Sequence, residues 1–246
     1  KTWKGRAEMA EFDSAERVST YMEAYDTDVM TGDRDKRMYL YYQLVNSMKK
    51  ADRIDIIVSF LMESGVKMLL KDLDQAMKRG AKIRILTGNY LGITQPSALY
   101  LIKHELGETV DLRFYSEKGR SFHPKSYIFH YADHSDIYIG SSNISKSALT
   151  SGIEWNYRFS SQKDPENYEK FYQTFEDLFE NHSIVVDDEE LKRYSKSWHR
   201  HPKYFGGPGT ISALISPHFG SKSISRTVPK HLQSFILTTS LSHNSE

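Results

Sequence analysis

Arg53-Ile-Asp-Ile-Ile-Val-Ser-Phe60 reads as a buried strand, and it is followed at once by a helical pattern from Ser64 to Lys78 and a second strand, Lys82-Ile-Arg-Ile-Leu86. Ser64 is placed to cap that helix and Gly80 to end it. Strand, helix and strand in this order make a β-α-β unit, so the chain is expected to build a sheet with helices packed against it.

The remaining pattern extends that sheet. Residues 14–25, 37–51, 97–106, 165–180 and 187–196 read as helices, and 109–115 as a strand. Within 37–51, Tyr39, Tyr41, Tyr42, Leu44 and Val45 supply aromatic and apolar surface for a core. Ser126-Tyr-Ile-Phe129 and Ile137-Tyr-Ile139 read as paired strands joined by the polar turn Asp133-His-Ser-Asp136, and Ile153-Glu-Trp-Asn-Tyr-Arg-Phe159 alternates as a third strand. The expected fold class is α/β, a mixed β-sheet flanked by helices. Its expected parts are an N-terminal helical extension (1–36), a main domain that holds the sheet (37–198) and a basic, Ser/Gly/Pro-rich, poorly ordered tail (199–246).

A chain of 246 residues with 39% apolar and 26% charged content can bury one ordinary core. No apolar run is long enough to cross a bilayer, and Lys1-Thr-Trp-Lys-Gly-Arg6 leads into no signal-peptide core. The lack of an initiating Met fits a fragment or a processed product. Zero cysteines exclude disulfides and thiolate metal sites, and a cytoplasmic location is expected. The net charge of +1 conceals an imbalance: residues 191–246 carry about +7 by formal count and 1–190 about −6. Such a tail either holds nucleic acid through its phosphates or is a poorly folded end whose charge is incidental.

His123-Pro-Lys125, Gly140-Ser-Ser-Asn143 and Glu154 carry the chemistry. A neutral imidazole attacks phosphorus, and a protonated one donates to the leaving oxygen, so His123 suits either role. Lys125, two residues on, shares a strand face with it and would place an ammonium against phosphate oxygens. Ser141 and Asn143 add neutral donors, and Glu154 could orient the imidazole by accepting its other proton. Phosphoryl transfer needs mainly positioning and charge stabilisation, which this set can supply without metal or other cofactor.

The ordered set resembles the phospholipase D superfamily, whose signature is His-x-Lys followed by Gly-Ser-x-Asn and a downstream Glu; the matching residues are His123, Lys125, Gly140, Ser141, Asn143 and Glu154. It departs at one position, where His130 stands five residues after Lys125 in place of a commonly structural Asp. Over roughly 37–180, Ile57-Val-Ser-Phe60, Arg84-Ile-Leu-Thr-Gly-Asn-Tyr-Leu-Gly-Ile-Thr94, Ser121-Phe-His-Pro-Lys125 and the stretch from Gly140 to Asn156 are similar to the phospholipase D-like nuclease domain found beside bacterial helicase and restriction modules. That resemblance implies a DNA endonuclease of the restriction or phage-defence type, with a helicase or ATPase module as partner in cis or in trans. No Walker-type phosphate loop occurs in this chain.

A superfamily active site needs two His/Lys sets, one His attacking and one protonating. His201-Pro-Lys203 repeats the triplet, but Ser223 and Ser234 stand where counterparts of Asn143 and Glu154 would be needed, and the Gly206-Gly-Pro-Gly209 run cannot make the required strand. One half-site per chain therefore implies a two-fold homodimer. DNA is the expected substrate and partner, with Asn89, Tyr90, Lys118 and Arg120 as candidate backbone or base contacts. A lipid phosphodiesterase is the alternative; it calls for an apolar approach surface or membrane-binding stretch, and the sequence shows none, so no membrane partner is expected. A noncatalytic DNA-binding or dimerisation module of a larger helicase is the third reading.

Overall fold

The apolar runs pair into one sheet. The computed structural model describes residues 27–34, 38–89 and 92–198. The elements in chain order are β1 (Val29–Met30), α1 (Leu40–Met48), β2 (Arg53–Val58), α2 (Glu63–Lys78), β3 (Lys82–Thr87), α3 (Pro96–Leu106), β4 (Val110–Tyr115), β5 (Lys125–His130), β6 (Ser135–Gly140), α4 (Lys146–Thr150), β7 (Asn156–Ser160), α5 (Pro165–Asn181), β8 (Ser183–Val185) and α6 (Asp188–Ser197). They form an eight-stranded mixed sheet in the order β1-β7-β6-β5-β2-β3-β4-β8. The pairs β2/β3 and β3/β4 are parallel, joined through α2 and α3, and every other pair is antiparallel.

Alternation along each strand divides the side chains between two layers. On β5, Tyr127 and Phe129 enter the larger cluster, where Leu44, Met48, Leu69, Leu73, Leu99 and Tyr194 from the helices meet Ile54, Ile56, Ile83 and Ile85 from the sheet. Ile128 faces the other way, into a smaller cluster with Ile57, Leu86, Ile137, Phe159 and the α5 residues Phe175 and Phe179. Beneath α5 lies a buried ionic group. Arg84 donates from Nε and Nη2 to Asp55 at 2.7 and 2.8 Å and from Nη2 to Glu176 at 2.5 Å. Arg53 donates to the Tyr172 hydroxyl at 2.9 Å.

Several boundaries differ from the sequence reading. Ser64 is not the cap of α2: the helix begins at Glu63 after an extended Met62, and its first N–H donates to Gln95 Oε1 at 2.7 Å. The Ser64 hydroxyl instead accepts from the Lys146 N–H at 3.3 Å, so tertiary contact has claimed it. Gly80 does end that helix, at φ 98°, a left-handed conformation that favours glycine. The β5–β6 turn is earlier than expected, closed by Tyr131 N–H to the His134 carbonyl at 2.9 Å, with Ser135 and Asp136 already on β6. The strand expected from Ile153 starts only at Asn156. The sheet also begins inside the segment read as a helical extension, because Met30 is buried and pairs with Asn156. The helix expected at 14–25 and the whole 199–246 tail, with His201 and Lys203, lie outside the described residues. No helix among the described residues is long and apolar enough to cross a membrane.

Candidate active site

Register brings the signature residues together. Val58, the last residue of β2, pairs with Lys125, the first of β5, and Gly140, the last of β6, pairs with Asn156, the first of β7. The motif residues thus gather beyond the carboxyl ends of the parallel strands, where open α/β sheets commonly place their sites. A parallel bridge between Leu61 and Ile144 ties the segment leaving β2 to the one leaving β6.

Lys125 is 7% exposed. Its ammonium donates to Ser59 Oγ at 3.0 Å and to the His123 carbonyl at 2.9 Å, and it lies 2.7 Å from His123 Nδ1. Ser59 Oγ donates in turn to the Pro124 carbonyl at 3.2 Å. The imidazole is exposed at the rim and stands edge-on to Phe60, with ring centroids 6.1 Å apart. Asn143 is buried, and its Oδ1 accepts from the Phe60 N–H at 3.2 Å. That bond fixes the amide so that Nδ2, unpaired among the described residues, remains to donate.

Ser141 and Glu154 form a second pair. The Ser141 hydroxyl donates to Glu154 Oε2 and its oxygen accepts from the Trp155 N–H at 3.1 Å, while the Ser141 N–H donates to the Trp155 carbonyl at 3.0 Å. This side-chain bond replaces the ladder over 153–155 and explains why the alternating pattern there is not a strand. Gly140 permits the approach, since a Cβ there would fall on the Trp155 carbonyl oxygen and within 2.5 Å of Asn156 Oδ1. The expected bond from Glu154 to the imidazole is not made within the chain: the carboxylate is taken by Ser141.

Burial sets the charges. It pushes the Lys125 ammonium down to about 8, against the opposing pull of the Glu154 carboxylate. Burial, and then the Lys125 charge, hold His123 below its ordinary 6.5, so the imidazole is neutral at pH 7. A neutral nitrogen and an ammonium in contact, with the Asn143 amide bonded to the neighbouring Phe60, are groups able to attack a phosphodiester and hold its oxygens.

His130 turns away to the opposite face of the sheet, where Nε2 lies 2.8 Å from Asp55. Of the expected substrate contacts, Asn89 lines a neighbouring cleft, Lys118 and Arg120 are exposed on the loop before β5 with Arg120 3.5 Å from Glu117, and Tyr90 lies outside the described residues. Ser59 and Phe60 were not singled out as site residues. Ser59, a hydroxyl ending an otherwise apolar strand, was the signal available for them. A surface unforeseen in the sequence adjoins the site: Ile153 and Trp155, flanking Glu154, are 85% and 72% exposed, and Tyr157 and Val29 continue the apolar strip. No group of three or more His, Cys, Asp or Glu side chains able to hold a metal occurs among the described residues.

The profile of the family described as "Cardiolipin synthase, PLD-like domain" matches residues 43–183. No curated protein matches the chain. Among solved structures, the phospholipase D family member Nuc from Salmonella typhimurium is 20% identical, with 58% of this chain and 88% of that one covered at a TM-score of 0.45. NucT from Helicobacter pylori is 16% identical over the same shares, also at 0.45. The phosphatidylserine synthase of Haemophilus influenzae Rd KW20 is 13% identical, with 63% of this chain and 41% of that one covered at 0.41.

Proposed function

The chain belongs to the phospholipase D-like domain family, and on that premise we propose that it is a metal-independent phosphodiesterase that cleaves DNA through a phosphohistidine, working as a two-fold homodimer. The observation that carries this reading is the packing of the buried Lys125 ammonium against a neutral His123, with the Asn143 amide held beside them. His123 of one protomer forms the N–P bond as the P–O bond to the leaving group breaks. The leaving oxygen takes a proton from the partner's His123, which serves in its imidazolium form once a Glu154 carboxylate of the joined site holds its other N–H. Water then attacks phosphorus, gives that imidazole its proton and frees the first one. Lys125 and Asn143 hold the non-bridging oxygens throughout, while the Ser141 hydroxyl stays on the Glu154 carboxylate at the rim. Glu154, already bonded to Ser141, is the group placed to orient an imidazole brought in by the second protomer.

The exposed strip at Ile153, Trp155 and Tyr157 supports the dimer, since large apolar side chains beside half a site are what a self-complementary interface uses. The same strip favours a second reading, hydrolysis of a lipid phosphodiester at a membrane surface. We assign DNA on the resemblance of the 84–94 and 140–156 stretches to helicase- and restriction-associated nuclease domains.

Incubation with labelled single- and double-stranded DNA in chelator, beside phospholipid vesicles, tests this directly. Cleavage of DNA is expected, with His123→Ala slower by about 10²- to 10⁴-fold. Activity that vanishes in chelator overturns metal independence, and turnover of the lipid alone overturns the DNA reading.

A further inference from the structure

A lysine ammonium carries three N–H donors, and in Lys125 two of them are spent on oxygens of the protein. One goes to the His123 carbonyl at 2.9 Å and one to Ser59 Oγ at 3.0 Å, while His123 Nδ1 lies 2.7 Å away as the partner for the third. The stem of a lysine is long and flexible, so its charge is aimed by whatever holds the tip. The His123 carbonyl belongs to the same segment as Lys125 and moves with it. Ser59 holds the tip from a different strand.

The local fold explains why a serine stands there. Ser59 follows Val58, the last residue of β2, whose register partner is Lys125. Pro124, which precedes Lys125, has no N–H with which to carry the ladder on. The Ser59 hydroxyl closes on it instead, donating to the Pro124 carbonyl at 3.2 Å. With its one proton committed there, the oxygen meets Lys125 as an acceptor, the sense that an ammonium requires. Ser59 is buried, and its own carbonyl accepts from the Gly88 N–H at 3.1 Å, so the strand end is clamped from the β3 side as well. A Cβ on Gly88 would lie 2.8 Å from that carbonyl oxygen, too close for the clamp to form. The next N–H along the chain, that of Phe60, holds Asn143 Oδ1. Adjacent residues of one strand end thus hold both the ammonium and the amide.

We propose that Ser59 is a positioning residue, whose hydroxyl fixes the Lys125 ammonium so that its third N–H is given to a phosphate oxygen beside His123. It touches neither the substrate nor the reacting atoms. The inference rests on the phosphodiesterase reading above and adds to it a residue outside the signature. Burial already pulls the ammonium down to about 8, so an acceptor that favours the charged form also helps to keep it charged.

The test follows Lys125 itself. In the full chain carrying isotope-labelled lysine, the Lys125 Cε resonance is identified by its loss in Lys125→Arg and titrated against pH without substrate. Ser59→Ala removes the acceptor, Ser59→Cys keeps a buried group of similar size that accepts only weakly, and Ser59→Thr keeps the hydroxyl. The midpoint is expected to fall by about one pH unit or more in the Ala and Cys chains and to stay near the parent in the Thr chain. Turnover of a small chromogenic phosphodiester in chelator should fall by roughly tenfold in the first two, with the alkaline limb of the rate displaced to lower pH alongside the resonance. A midpoint unmoved in both Ala and Cys overturns the proposal whatever their melting temperatures, because a serine that only closes the strand end affects stability and leaves the titration alone. A Thr chain that moves as far as Ala overturns it too, as does a moved midpoint with unchanged turnover. The titration needs no catalysis. A chain that cleaves no phosphodiester, yet whose Lys125 midpoint moves in Ala and Cys and holds in Thr, loses the phosphodiesterase reading and keeps Ser59 as the residue that fixes the ammonium.

Discussion

The Lys125 ammonium sets an upper pH limit on any chemistry that needs its charge. Its value near 8 means that the rate should fall as pH rises through that range, while the acid limb, set by His123, lies below the ordinary 6.5. Replacing Lys125 with Arg, which stays protonated beyond pH 12 or so, should carry the alkaline limb out of range in whatever activity remains. Glu154→Gln removes the carboxylate that opposes the burial effect and should move the limb to lower pH. Stability runs the other way. Between about 8 and the unfolded value of 10.5 the unfolded chain binds more protons at this position, so its contribution to stability rises with pH. A pH–rate series paired with thermal melts separates the two effects: rate loss above pH 8 with no drop in melting temperature is the expected result. At saturating substrate, Lys125→Ala should lose about 10²- to 10³-fold in turnover, as removal of a donor to a transition-state oxygen commonly does.

Helix α5 owes its seat to one ionic group as much as to its aromatic stripe. Asp55 is fully buried; burial alone would raise its carboxyl, but the Arg84 fork and His130 more than offset this and hold it below the ordinary 3.8. The Arg84 guanidinium also lies 4.9 and 5.0 Å from the ring centres of Phe175 and Phe179. Asp55→Ala leaves that cation without its main partner and should cost ~3–5 kcal/mol in a denaturant melt, whereas Asp55→Leu combined with Arg84→Met should recover most of the loss. In the parent, the Asp55 contribution is complete above the unfolded pKa of 3.8 and is lost as pH falls through the lowered folded value. Little of this could be read from the chain. The β2-α2-β3 unit was legible to within a residue or two because its apolar runs are continuous and Gly80 punctuates them. Asp55 inside such a run names no partner until register places β3 alongside and α5 above. The motif spacing predicted that His123, Lys125, Ser141, Asn143 and Glu154 converge. It could not show that Ser141 would claim Glu154, because that bond depends on a loop replacing three residues of alternating pattern. Ser59 and Phe60 escaped for the same reason as Asp55: only the pairing of β2 with β5 sets them against Lys125. The two- and three-residue strands β1 and β8 are too short to show a period.

For the molecule as a whole, the proposed sharing of two imidazoles between two chains would make activity a function of concentration. Trp155→Glu places a charge in the exposed strip and should weaken a dimer by ~2 kcal/mol or more, roughly 30-fold in dissociation constant. Light scattering across a dilution series, read beside specific activity, checks this: both should fall together, and an active monomer would overturn the composite site. How two copies can meet is narrowed further by the outermost strands among the described residues. β1 has two residues and β8 three, so each margin of the sheet offers a partner only a few free amides and carbonyls. Among the described residues, continuing the ladder would thus give a second chain little hold, and the sheet is a poor template for fibre-like growth. The proposed dimer would then have to form on side chains, through the exposed strip beside Glu154.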